Sequence, residues 1–244
     1  IMSKVIKKFV KSTLGSLYYN IYKKNRISLG NRCLIYHAFG SKLKHDTYGI
    51  SISMNKFEEH IKFISDNYRI CKIDEIPSND FCISLSIDDG YICTLDAIEL
   101  LENYKIPVTL FVTVDTIDQP KYLTSKDLFS INDLSNVTIC SHGYSHKKLG
   151  SLSYENQLSE IIKSKEYLEE KINVSIPGIS FPHGSYNDDT LNILNKSNYK
   201  FAASSQKGIN TSNTNKYLLY RNEIISSDTV RDLNKKILGY YDFY

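Results

Sequence analysis

Ser86-Ile87-Asp88-Asp89-Gly90 closes an apolar run with two adjacent carboxylates. Buried side by side, two acids drive one pKa sharply upward unless a positive charge neutralises them. Neighbouring residues of an extended chain point to opposite sides, so the two cannot do one job identically. One can bind a metal ion while the other faces a reacting water. Farther on, Ser141-His142-Gly143-Tyr144-Ser145-His146 offers two histidines at i and i+4. They can converge on one cation if the chain makes a turn between them. Two His and one Asp leave coordination positions open, the pattern of a catalytic rather than a structural zinc site. Each cluster also has a plainer reading. Asp-Asp-Gly is a common turn, and two histidines can both be surface residues. The shared placement of the clusters just after apolar runs favours the chemical reading.

Residues so placed need strands behind them. Cys33 to Tyr36 is a short apolar run ending at His37, and Phe81 to Ile87 is a buried-strand run ending at Asp88. Val108 to Val114 and Val137 to Cys140 read as further strands, the second ending at Ser141-His142. Ile179 to Phe181 leads into Pro182-His183-Gly184, and strands follow near 201–204 and 217–225. Between them the period changes to that of helices at 55–67, 93–104, 153–171 and 188–197, with a last helix from Asp228. Ser153 is a candidate N-cap. A βαβα series in one domain implies parallel strands with helices outside. In a β/α barrel the ends of the strands form the catalytic face. The long polar loop at 40–53 can overhang such a face.

Together these residues resemble the polysaccharide deacetylase family, the NodB-like carbohydrate esterases. The family's first motif, Thr-Phe-Asp-Asp-Gly, is close to Ser86–Gly90. Its second, His-Ser/Thr-x-x-His, keeps both ligands at His142 and His146. Phe181-Pro182-His183-Gly184 is similar to the third motif of a branch acting on biofilm amino-sugar polymers, and Tyr36-His37 to that branch's N-terminal Tyr-His pair. The resemblance covers about residues 31–230 and implies a distorted, incomplete (β/α) barrel. It implies that Asp89, His142 and His146 bind a divalent metal, Zn²⁺ first, with Co²⁺, Ni²⁺ or Fe²⁺ also compatible. Asp88 is then the general base and His37 the general acid for the leaving amine. The backbone N–H of His183 would stabilise the oxyanion, with Gly184 and Tyr186 as further substrate contacts. Two departures matter. Tyr217-Leu218-Leu219-Tyr220-Arg221 lacks the histidine of the family's late Leu-x-His motif, which puts weight on His37, with the His183 side chain as a second candidate acid. The arginine that orients the base is missing from the third motif, and Arg221 can replace it; a surface salt bridge is the plainer role for Arg221.

The implied activity is removal of an N-acetyl group from an amino sugar in a surface polysaccharide or its nucleotide- or lipid-linked precursor. A haloacid-dehalogenase-type phosphatase fits poorly, because it needs two Asp separated by one residue. A catalytically degenerate, membrane-tethered glycan-binding protein is the other reading. Both Asp, both His and His37 are retained, which favours the enzyme.

Composition sets the frame. The 244 residues are 41% hydrophobic and 23% charged, ordinary for a soluble domain with a real core. Nineteen Tyr and no Trp suit carbohydrate contact or a compositional bias. The net charge of +3 is uneven: residues 1–30 hold Lys4, Lys7, Lys8, Lys11, Lys23, Lys24 and Arg26 and no acid, so the rest is net negative. Nucleic acid is therefore not an expected partner of residues 31–244, the catalytic domain. Ile6, Val10, Leu14, Leu17 and Ile21 form one helical face within the segment 1–30, with Lys4, Lys8 and Lys11 on the other side. The lysines interrupt any apolar core of a cleavable leader, and no run is long enough to span a bilayer. Such a helix can lie on the inner membrane surface, or pack on the domain with its lysines in water. Ile1, ahead of Met2, carries no argument. The five cysteines stand at 33, 71, 82, 93 and 140. Their odd count and scatter argue against a disulfide framework and point to a reducing, cytoplasmic setting. His45 and His60 read as solvent-exposed. Oligomeric state is open.

Overall fold

A computed structural model describes residues 4–24, 29–43 and 46–243, without the side chains of 4, 5 and 7–9. The expectations placed on Ile1, Met2, Arg26 and His45, and on the side chains of Lys4, Lys7 and Lys8, lie outside the described residues. The helix α1 (Lys4–Tyr18) precedes strands β1 (Gly30–Tyr36), β2 (Ala38–Phe39) and β3 (Ser51–Ile52). Helix α2 (Met54–Asn67), β4 (Arg69–Ile70), β5 (Phe81–Ile87) and α3 (Thr94–Asn103) come next. They are followed by β6 (Val108–Val112), α4 (Ser125–Asn132), β7 (Val137–Ser141) and α5 (Tyr154–Ile172). The chain ends with β8 (Gly178–Ser180), α6 (Asp188–Lys196), β9 (Phe201–Ala203), β10 (Arg221–Glu223) and α7 (Val230–Ile237).

The main sheet runs β10-β1-β5-β6-β7-β8-β9, every pairing parallel, with β4 against the start of β5. Parallel strands with helices over them are buried on both faces and read as continuous apolar runs. That is why Phe81–Ile87 and Val108–Val112 were legible. The sheet curls until β9 meets the chain just ahead of β10. Leu219 N–H donates to Ala202 O (3.0 Å) and Ser204 N–H to Leu219 O (2.9 Å). The result is the expected distorted (β/α) barrel, nearly closed through one irregular seam. The strand expected over 217–225 is regular only at Arg221–Glu223. Asn210 is the reason: its side chain bonds both backbone groups of Tyr220 (2.8 and 3.0 Å), interrupting the ladder there.

Local signals explain the helices. Ser153 caps α5 as expected, accepting from Asn156 N–H (3.4 Å), and Asn173 closes it in the left-handed conformation. The short α4 was not anticipated, although Thr124 and Asp127 form a full capping box. The loop between β2 and β3 is held by Asp46, whose carboxylate accepts from four backbone amides, Tyr48 to Ser51. Burial alone would raise its pKa; these bonds reverse that and lower it.

Three expectations are corrected. Cys71 and Cys82 form a disulfide, leaving Cys33, Cys93 and Cys140 as thiols. The parallel pairing of β4 with β5 puts Cys71 beside the start of β5, its N–H on Ile83 O (2.9 Å); spacing along the chain does not reveal that. His60 is fully buried, its Nδ1 3.4 Å from the Tyr36 hydroxyl. It completes the inward stripe Phe57, His60, Ile61, Ile64 of α2. The third concerns α1. Ile6, Val10, Leu14, Leu17 and Ile21 are exposed, whereas the other face meets the C-terminal segment. Tyr19 stacks on Tyr240 (4.0 Å between centroids), Ser12 Oγ accepts from Lys235 Nζ (2.7 Å), and Lys11 Nζ lies 5.7 Å above the Tyr241 ring. The apolar stripe is therefore a side in water, not the side that packs on the domain.

Candidate metal centre and catalytic edge

Asp88 and Asp89 follow β5, His142 follows β7, and His183 lies just beyond β8. Parallel register puts them on one edge of the barrel. There Asp89 Oδ1 lies 3.4 Å from His142 Nε2 and 3.2 Å from His146 Nε2. One donor atom from each of the three residues falls within 4.8 Å of the others. Two imidazole nitrogens and one carboxylate oxygen converging in this way fit a divalent cation. His142 is buried, and its Nδ1 faces the Ser180 carbonyl (3.1 Å) and hydroxyl (2.6 Å). Donation from Nδ1–H to Ser180 leaves the Nε2 lone pair for the cation, the usual role of an outer partner. Burial alone would raise the Asp89 pKa; hydrogen bonds from His142 and His146 reverse this and hold it well below the usual carboxylate range. Burial would lower His146, and Asp89 more than compensates, raising it.

Asp88 has a different environment. Its N–H donates to Tyr36 O (3.0 Å), and its carboxylate receives a bidentate bond from Arg221, Nη1 to Oδ1 at 2.6 Å and Nη2 to Oδ2 at 2.9 Å. Arg221 opens β10. It reaches Asp88 from within the barrel, fully buried, 4.9 Å above the Phe111 ring and bonded to Ser204 O (2.9 Å). The alternative of a surface salt bridge is thereby excluded. Burial pushes the Asp88 pKa up, and the Arg221 charge, with His142 and His37, brings it below the ordinary value.

His37 follows Tyr36, whose register partner is Ile87, so it leaves the barrel beside Asp88 rather than across from it. Both aspartates feel its charge. Its Nδ1 is buried without a hydrogen-bond partner among the described residues. His183 packs edge-on against His146, 4.6 Å between centroids. Burial, then the His146 and Lys148 charges, lower its pKa. Gly184 N–H donates inside its own turn, to Phe181 O (2.8 Å). Its φ of 64° and the closeness of Ser205, 3.0 Å from where a Cβ would stand, explain the glycine. The Tyr186 hydroxyl accepts from Gln206 Nε2 (2.9 Å).

Asp89 (φ 74°), His146 (φ 57°) and His183 (φ 58°) all occupy the left-handed region. Each costs roughly 1–2 kcal/mol outside glycine, and such strain gathers at functional sites. Sequence reasoning missed Ser180, Glu160 and Tyr91. The Tyr91 hydroxyl bonds Asp89, and its ring stacks on Tyr122 at 5.0 Å. Glu160 had a visible signal, an acid on the inward face of α5 among Gln157, Ile161, Ser164 and Leu168.

Comparison with known proteins agrees with this geometry. Residues 75–202, slightly more than half of the chain, match the family described as polysaccharide deacetylase. YxkH of Bacillus subtilis, a candidate polysaccharide deacetylase, is 27% identical over 199 residues, 77% of this chain and 69% of that protein. The poly-beta-1,6-N-acetyl-D-glucosamine N-deacetylase of Staphylococcus aureus is 24% identical over 95% of this chain and 84% of its own. Among solved structures, the Streptococcus pyogenes deacetylase PplD in complex with acetate superposes with a TM-score of 0.76 at 22% identity, covering 86% of this chain and 99% of that one. IcaB from Ammonifex degensii gives 0.75 at 14% identity, covering 87% and 98%. The chain belongs to the polysaccharide deacetylase family and is an enzyme of that family.

Proposed function

We propose that the chain removes the N-acetyl group from an amino sugar of a surface polysaccharide or of its nucleotide- or lipid-linked precursor. The observation that carries this reading is the division between adjacent carboxylates. Asp89 is shared by two histidines while Asp88 is clasped by Arg221. Asp89, His142 and His146 would hold the ion, Zn²⁺ being favoured by two nitrogens and one oxygen, with Co²⁺, Ni²⁺ or Fe²⁺ also compatible. When bound, such an ion acidifies water and polarises an amide carbonyl. Asp88, kept ionised and oriented by Arg221, takes the proton of the attacking water; each carboxylate oxygen still has a second lone pair for that purpose. The His183 backbone N–H would meet the oxyanion. His37, one strand from Asp88, would protonate the departing amine. Balance follows: water adds to the acyl carbon, the C–N bond breaks, and acetate and a free amine leave.

The test is metal analysis together with free-amine release from three substrates: a β-1,6-linked N-acetylglucosamine oligomer, an N-acetylated nucleotide sugar and a lipid-linked sugar. The name of the Staphylococcus aureus relative motivates the first. Asp88→Asn is expected to keep metal and lose turnover by on the order of 10²–10⁴. Metal-loaded protein that binds glycan but releases no amine would favour the degenerate glycan-binding reading instead.

The outward stripe of α1 supports peripheral contact with an anionic membrane. No helix among the described residues is long and apolar enough to cross a bilayer. The segment has seven basic residues and no acid, so two copies would repel one another, whereas anionic lipid would accept both charge and stripe. The Cys71–Cys82 bridge removes the cysteine argument for a reducing compartment. Placement at the inner face of the membrane is proposed instead from the basic segment. Co-sedimentation with phosphatidylglycerol vesicles should require residues 1–30; equal binding by the full chain and a 1–30 deletion would refute it.

A further inference from the structure

Two of the three proposed ligands sit on the turn from His142 to His146, and the hydrogen bonds of that turn can be followed one by one. The carbonyls of Gly143 and Tyr144 accept from Val114 N–H (3.3 Å) and Asp115 N–H (2.9 Å). Gly143 N–H donates to Ser141 Oγ (3.1 Å). The amides of Tyr144 and Ser145 both donate to one oxygen of Glu160, Oε2, at 3.0 and 2.8 Å. The Ser145 hydroxyl donates to the other, Oε1. Glu160 belongs to α5 and is 8% exposed. A buried carboxylate is costly unless paired or hydrogen-bonded. Among the described residues no ion pair reaches it, so the three donors of this turn are what stabilise its charge. Bonds to an ionised acceptor are roughly twice as strong as neutral ones.

The turn needs that support. His146, at its end, is held at φ 57°. Gly143, at φ 75°, stands where the family motif has Ser or Thr, and a Cβ there would lie 3.3 Å from Pro182 Cγ and 3.7 Å from Glu160 Oε2. The hydroxyl next to the first histidine is lost, and Ser145 with Glu160 supplies the tie from the other end of the turn.

We infer that Glu160 is a positioning residue of the metal centre, a clamp that sets the His142–His146 turn so that both Nε2 atoms face Asp89. The inference rests on the metal reading above. The test uses the full chain, Glu160→Ala, Glu160→Asp and Glu160→Gln, with two readouts: the Zn²⁺ dissociation constant by competition with a chromophoric chelator, and the Tm of the metal-free protein. Glu160→Ala is expected to weaken Zn²⁺ binding on the order of 10–100-fold. Glu160→Asp keeps the charge but withdraws it by one methylene, and is expected to lose about tenfold. Glu160→Gln can keep the shape, its carbonyl taking both amides and its NH₂ donating to the Ser145 hydroxyl, and should lose the least. That ordering, without a matching order in Tm, supports the clamp. Zn²⁺ affinities of Glu160→Ala and Glu160→Asp within about threefold of wild type would overturn it; if Glu160→Ala does not fold, Glu160→Asp alone decides. Wild-type protein that binds no Zn²⁺ would overturn the metal reading itself, a separate failure.

Discussion

The catalytic edge and the α1 seam treat polarity in opposite ways. At the edge, charges are buried and almost every one has a named partner: Asp88 with Arg221, Asp89 with two histidines, Glu160 with three donors. Along α1, apolar side chains are left in water while Lys11 lies over the Tyr241 ring. Burial of Lys11, and then the nearby Lys236 charge, lower its pKa. Buried charge is stable only when its partners are fixed, so the edge is rigid by construction. The exposed apolar stripe packs on nothing among the described residues, and the proposed membrane contact would give it a use. The first region holds a geometry, whereas the second leaves a surface open.

The comparison can be broken most severely at Arg221. Arg221→Leu leaves the Asp88 carboxylate buried and unpaired, and should cost roughly 3–5 kcal/mol in denaturant unfolding. A loss below about 1 kcal/mol would mean that the edge is not held by this pair. His37→Ala should leave Zn²⁺ affinity near wild type while kcat falls by on the order of 10²–10⁴; a loss of metal without a loss of kcat in the loaded enzyme would reassign His37. Replacing both Cys71 and Cys82 by Ser should lower stability by about 2–3 kcal/mol. Thiol titration of the denatured, unreduced wild type should count the three free cysteines rather than all five. The smallest effect belongs to the other region. Leu14→Lys with Leu17→Lys should change stability by less than about 0.5 kcal/mol yet abolish vesicle binding; a large drop in Tm would show that the stripe is packed after all.

A pH profile sharpens the same contrast for His60, polar and buried behind the edge. Burial, the largest influence, lowers its pKa from 6.5, although Asp228 pulls the other way. A histidine depressed in the folded state contributes stability above its unfolded pKa and loses it as pH falls through that value. The stability advantage of wild type over His60→Leu should therefore shrink below about pH 6.5; an unchanged advantage down to pH 5 would contradict it.

Much of the site could be read from the chain because its ligands are local. Asp88-Asp89 and His142–His146 each lie within a few residues, and each follows an apolar strand whose period is visible. His60 was read as exposed although Phe57, His60, Ile61 and Ile64 recur at helical spacing, because a histidine on an apolar stripe is polar enough to pass for a surface residue. Cys71 and Cys82 were not legible as a pair, because strand register and not spacing makes them neighbours. The start of the last strand was obscured by Asn210, whose side chain competes with the ladder at Tyr220.

Periodicity and short-range spacing, which are properties of the chain, were enough for the longer strands and helices, the parallel barrel and the residues able to bind a metal, but not for α4 or the two-residue strands β2, β3 and β4. Only the tertiary structure decided that Arg221 takes Asp88 and leaves Asp89 to the histidines, that Glu160 closes the ligand turn, and which face of α1 meets water. Those are contacts between residues far apart in sequence, set by register and burial, and no local pattern encodes them.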